Sequence, residues 1–164
     1  RGLKLWLGKR MCSTFVVPSV RHSSHVIEFP YTRSLGPVYG EFLTGLRDQR
    51  IIGIRNRDGS VLCPPTEWDP KTGEALALDF VEVGPEGTVT TWAWVTKPTR
   101  KHPLDHPFAF ALIQLDGADT AILHAVDVAS MDKITTGMRV TPRWRKERIG
   151  LITDIEAFVP LESK

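Results

Sequence analysis

From Leu76 onward, apolar and polar residues alternate in short runs: ALALDFVEV, TVTTWAWVT, FAFALIQLDG, TAILHAVDV, GMRVTPRWR and RIGLITDIEAFV. Alternation of period two is the pattern of strands that bury one face. The four residues Gly84-Pro85-Glu86-Gly87 part the first two runs as a turn. ALIQL is almost continuously apolar, as a central strand should be. No long helical period follows Arg50, and about five or six strands with short connections predict a small closed barrel of the OB type. The single helical period lies earlier. Gly36-Pro37 opens it, and Val38, Phe42 and Leu46 recur at i, i+4, i+8 with Tyr39 and Leu43 beside them. That predicts a helix of about thirteen residues with one apolar face, its outer face carrying Glu41, Arg47 and Asp48. Before it, STFVVPSV and HVIEFPY are broken by Pro18 and Pro30 and read as an extended arm. The fold expected is therefore mainly β, with an arm over 1–33, a helix within 34–50, a small unit over 51–74 and a barrel over 75–160.

Composition narrows the class. The chain has 164 residues, 41% hydrophobic and 24% charged, which suits a globular core with a small appendage. A formal net charge of +2 is too small to imply a polyanionic partner by itself. Cys12 and Cys63 sit far apart in different contexts, so no disulfide is expected and the chain reads as cytoplasmic. No apolar run approaches the length of a membrane span. RGLKLWLGKR is basic and apolar, but too short for a signal peptide and followed by no small-residue cleavage site. Met11 is a credible start, and residues 1–10 are left out of the fold.

The stretch RIIGIRNRDGSVLCPPTEWDPKTG, from Arg50 to Gly73, looks like a zinc ribbon whose ligands have been replaced. Two glycine turns, at Gly59 and Gly73, are joined by a short strand, Ser60 to Cys63, which Pro64-Pro65 ends. The former ligand positions are Arg55, Asp58, Asp69 and Thr72. Arginine offers a metal no lone pair and threonine is a poor zinc ligand, so no zinc is expected. Packing of Ile51, Ile52, Ile54, Val61, Leu62 and Trp68 should hold the turns instead, with Asp58 and Asp69 accepting turn hydrogen bonds.

Two basic segments are the main candidate sites. The loop KPTRKHPLDHP carries Lys97, Arg100, Lys101, His102 and His106 between two strands. Pro103 and Pro107 each follow a histidine and extend the backbone there, which disfavours a metal site made of His102, Asp105 and His106. A partner-facing or substrate-covering loop suits it better. In GMRVTPRWRKER, Arg139, Thr141, Arg143 and Arg145 point one way on a strand while Val140, Pro142 and Trp144 point the other, and Lys146 and Arg148 extend the charge. Such a row could meet the phosphates of coenzyme A, acidic groups on a partner, or a nucleic-acid backbone, or be a charged outer face. His124 among apolar neighbours reads as a hydrogen-bonded barrel residue, Trp92 and Trp94 as core or interface, Cys63 as inert, and His22 and His25 as surface histidines. There is no G-x-S-x-G, phosphate loop, dinucleotide fingerprint or H-E-x-x-H, and hence no self-contained catalytic constellation.

The words FPYTRSLGPVYGEFLTGLRDQRIIGIR, DGSVLCPP and GMRVTPRWRKERIGLITDIEAFVP occur in that order. Together they resemble a former domain-of-unknown-function family of acyl-CoA-associated proteins, which join N-terminal helices, a rubredoxin-like zinc ribbon and an OB-fold. The resemblance spans roughly Glu28 to Pro160 and departs from the family in losing all four metal ligands. It implies a non-catalytic accessory subunit of a thiolase-like enzyme, of the sterol-carrier-type thiolase/aldolase kind, in lipid or steroid side-chain breakdown. The partner would perform the chemistry, with acyl-CoA contacted through the complex and no cofactor held tightly. Tyr39, Phe42, Leu43 and Leu46 become candidates for docking it, and the two basic segments for contacting partner or acyl-CoA. The rivals are a stand-alone acyl-CoA binder and a single-strand nucleic-acid binder using Trp92, Trp94 and the arginine row. The modest charge and the lack of interleaved basic and aromatic residues count against nucleic acid.

Overall fold

A computed structural model describes residues 34–161. The arm, with Cys12, His22 and His25, lies outside the described residues.

Helix α1, Gly36–Arg47, starts with Pro37 in its first turn, where the missing N–H costs no hydrogen bond. Its apolar period becomes one buried face, Val38, Phe42 and Leu46. Strands β1 (Ile51–Arg55), β2 (Val61–Leu62) and β3 (Phe80–Val83) form an antiparallel sheet in the order β2-β1-β3. Strands β4 (Gly87–Val95), β5 (Phe108–Leu115), β6 (Ala121–Val126), β7 (Arg139–Trp144) and β8 (Ile155–Pro160) close a barrel in the order β4-β5-β6-β8-β7. This is the mainly β, OB-type architecture that the alternation predicts. One run sits elsewhere than its pattern suggested: Phe80–Val83 pairs with Ile51–Ile54 in the small sheet, and Gly84 at φ 68° turns the chain before the barrel begins.

Barrel, helix and small sheet share one core. Val89, Ile113, Ile122, Val140 and Phe158 of the barrel pack in a single buried cluster with Phe42 and Leu46 of α1 and Ile51, Val61 and Val83 of the sheet. Trp92, Trp94 and Trp144 pack partly buried against it. The edge of β2 is also pinned to the β5–β6 turn. Val61 N donates to Asp119 Oδ2 at 2.7 Å and Cys63 N to Thr120 Oγ1 at 2.7 Å. Burial pushes the Cys63 thiol up to about 12, which leaves it unreactive at neutral pH.

Candidate functional site

The chain's own hydrogen bonds close the two glycine turns. Gly59 (φ 87°) donates to Asn56 O and Gly73 (φ 72°) to Asp69 O. Asp58 accepts from Ser60 N at 3.0 Å and Asp69 from Lys71 N at 2.8 Å. Across the gap, Lys71 Nζ donates to Asp58 Oδ2 at 2.8 Å, and Arg57 pairs with Glu74. Bonds from Lys71 and then Ser60 hold the Asp58 carboxyl far below the usual carboxylate range. The Lys71 backbone N–H is the main influence lowering Asp69. Arg55 faces Asp79 at 3.2 Å, and Thr72 Oγ1 accepts from Glu74 N at 3.3 Å. A donor set of one cation, one lysine-paired carboxylate, one buried turn carboxylate and one hydroxyl does not fit zinc. Ile51, Ile52, Ile54, Val61 and Leu62 are buried as expected, but Trp68 is 57% exposed and lies outside the buried core.

The arginine row divides. Alternation along β7 persists to Arg143, and the register then shifts at Trp144, so Arg145 does not continue the face. Arg139 grips Asp116 with two bonds of 2.7 and 2.5 Å and reaches Glu86 at 3.2 Å. Arg143 bonds Glu156 at 2.6 Å and Asp127 at 2.9 Å. Both guanidinium groups are thus paired with the chain's own carboxylates, as on a charged outer barrel face. Arg148 Nε donates to Arg47 O at 2.9 Å and caps the carbonyl end of α1. Arg145 and Lys146 stay exposed, with no carboxylate in ion-pair range among the described residues. The same holds for Lys97, Arg100 and Lys101.

The loop 97–107 lies across the barrel's outside, with Leu104 buried against Phe108, Ala125 and Ala157. His102 Nδ1 accepts from Thr99 N at 2.7 Å, and its ring packs edge-on to Phe108 at 5.8 Å, a structural role. His106 sits between Asp127 (3.0 Å) and Asp105 (3.1 Å), which raise its pKa in that order. Burial works against the Asp127 carboxylate, yet bonds from His106 and Arg143 outweigh it and lower its pKa. Among the described residues no group of three or more His, Cys, Asp or Glu side chains could hold a metal.

The loop 97–107 and the segment 143–154 meet, although some forty residues separate them in sequence. Between them lie adjoining hollows that share Arg143, Arg145, Pro103 and Glu156. One is a half-open cavity of 190 Å³ walled by Phe110, Leu123, His124, Ile152 and Ile155, with Arg145 and Glu156 also on its lining. Burial lowers the His124 pKa and keeps the ring neutral; Nε2 lies 3.4 Å from Ile152 O and the ring 5.5 Å from Phe158. Among the described residues His124 bonds backbone carbonyls alone, with neither a nucleophile to activate nor a carboxylate to orient it. The arrangement can receive an apolar group beside a positive charge. Of the helix candidates, Phe42 and Leu46 are locked in the core and cannot reach a partner, Leu43 is partly buried, and Tyr39 stands exposed. Sequence reading missed Leu123 and Ile152. An outward leucine at period two is visible there, but its neighbours across the cavity are not.

Residues 80–145 match the family described as ChsH2, C-terminal OB-fold domain. Two solved structures are similar to the chain. One is a protein of unknown function from the DUF35 family of Sulfolobus solfataricus, 19% identical, with a TM-score of 0.53 over 65% of this chain and 78% of that one. The other is the Ltp2-ChsH2(DUF35) aldolase, 20% identical, with a TM-score of 0.55 over 79% of this chain and 98% of that one. No curated protein matches the chain. These likenesses show an OB-fold similar to that of the DUF35 and ChsH2 proteins.

Proposed function

We propose that the chain is a non-catalytic partner subunit of a thiolase-like enzyme acting on acyl-CoA. By resemblance, that enzyme is a sterol-carrier-type thiolase or aldolase of lipid or steroid side-chain breakdown in the cytoplasm. The observation that carries the reading is the likeness spanning 98% of a chain of the Ltp2-ChsH2(DUF35) aldolase. The site supports it: an apolar hollow beside Arg145 and Lys146, two cations with no carboxylate partner among the described residues, suits contact with another molecule, while His124 has no catalytic company. The chain would stabilise its partner and shape the mouth of the acyl-CoA site. A stand-alone binder of coenzyme A or nucleic acid fits less well, because Arg139 and Arg143 are neutralised internally.

The test is affinity capture of the tagged chain from its native extract, with the retained proteins identified by mass. A thiolase-like protein in stoichiometric amount is expected. A chain that elutes alone and monomeric would sink the reading, and titration with coenzyme A and a short oligonucleotide would then separate the rivals.

A further inference from the structure

Eleven large apolar side chains stand exposed among the described residues, and five of them gather on one face: Leu112, Leu123, Ile149, Leu151 and Ile152. Leu112 sits opposite Leu123 across the β5–β6 ladder. Leu123 and Ile152 wall the same cavity, and Ile149 and Leu151 line the hollow next to it, which shares Arg145 and Thr153. Exposed apolar residues scattered singly need no explanation, whereas a contiguous group of this kind marks a contact surface.

The loop presenting Ile149, Leu151 and Ile152 is built to be firm. The Asp154 side chain, 2% exposed, accepts from the backbone N–H groups of Ile149 (3.3 Å), Gly150 (2.7 Å) and Leu151 (3.1 Å). Arg148, one residue earlier, is bonded to Arg47 O of α1. A buried carboxylate therefore orders a loop while Ile149 is left 76% exposed. Ordering a loop in advance lowers the entropy lost on association.

We infer that this face docks the partner subunit, which inserts one large apolar side chain into the 190 Å³ cavity and sets carboxylates against Arg145 and Lys146. The inference rests on the partner-subunit reading above. A dry cavity of about 150 Å³ accepts benzene, so this one has room for a phenylalanine or leucine side chain. Such central pockets hold the residues that dominate interface energy. Charge fixes the rim. Arg145 and Lys146 line these hollows with no carboxylate in ion-pair range among the described residues; of the acids beside them, Glu156 is held by Arg143 and Asp154 by backbone N–H groups, which leaves the exposed Glu147 against two exposed cations.

The experiment compares capture by the full-length chain with capture by Leu123→Arg, Ile149→Asp and Arg145→Glu, using Leu78→Arg as an exposed apolar control elsewhere. All four positions are exposed, and thermal melts confirm that each variant folds. Wild type and Leu78→Arg should retain a thiolase-like protein identified by mass, and the three patch variants should bind it at least about tenfold more weakly. Equal retention by all of them overturns the surface and leaves the partner-subunit reading standing. Failure of the wild-type chain to retain any thiolase-like protein overturns both. Light scattering that shows a wild-type dimer, made monomeric by Leu123→Arg with capture intact, assigns the face to a second copy and also overturns the proposal.

Discussion

Lys71 Nζ lies 2.8 Å from Asp58 Oδ2 and ties together the two glycine turns of the small unit. Structural zinc sites hold their turns through four metal bonds. Here an ion pair and the Arg57–Glu74 contact stand between the turns, and the shared core anchors the sheet beneath them. The stability of the unit should therefore respond to charge and salt and ignore chelators. EDTA is expected to leave the melting temperature unchanged, while Asp58→Ala and Lys71→Ala each lower it slightly, with less effect at high salt. A melting temperature that falls on chelation would refute this.

Leu46 is fully buried beneath the helix, whereas Tyr39 on the same helix is 41% exposed. Leu46→Ala should cost about 2–5 kcal/mol through lost burial and the cavity left behind. Tyr39→Ala should change stability by less than about 0.5 kcal/mol. Urea unfolding of the two variants measures both. Similar losses would mean that the helix does not pack on its own domain.

The barrel was legible because period-two alternation needs only neighbouring residues: Ala109, Ala111, Ile113 and Leu115 face inward as their spacing requires. The helix face was equally legible, but its period cannot say what the face packs against, and so Phe42 and Leu46 read as docking residues as readily as core. The pairing of the arginine row was hidden for a related reason. Its alternation is real up to Arg143, yet Asp116, the carboxylate that neutralises Arg139, lies 23 residues away, and the fold alone brings the two together. The Asp58–Lys71 pair and the meeting of loop 97–107 with segment 143–154 are likewise products of tertiary structure.

Arg143 and Arg145 are two residues apart and should behave differently. Arg143→Ala removes the cation held between Glu156 and the partly buried Asp127, and a loss on the order of 1 kcal/mol is expected. Arg145→Ala removes an exposed charge with no carboxylate partner among the described residues and should leave stability within about 0.5 kcal/mol. Chemical unfolding distinguishes the two. Equal stability losses would mean that Arg145 supports the fold to the same degree as Arg143.

His106 fastens the start of β5 and its preceding loop to Asp127, and the fastening should depend on pH in a definite direction. The His106 pKa is raised above its ordinary 6.5, chiefly by Asp127 and then Asp105. Its contribution is therefore fully present below 6.5 and is lost as pH rises through the higher folded value. The Asp127 pKa is lowered from 3.8, so that contribution is present above 3.8 and is lost as pH falls through the lower folded value. Amide protection of the loop should be greatest between pH 3.8 and 6.5. Leu104 stays buried throughout and keeps the alkaline opening local. His106→Ala should flatten both limbs, because it removes the loop's bond to Asp127 even though Arg143 still holds that carboxylate at 2.9 Å. Hydrogen exchange across the pH range reads the loop, and an NMR titration reads the imidazole directly. An imidazole titrating below 6.5, or a variant that keeps the alkaline limb, would remove His106 from this role.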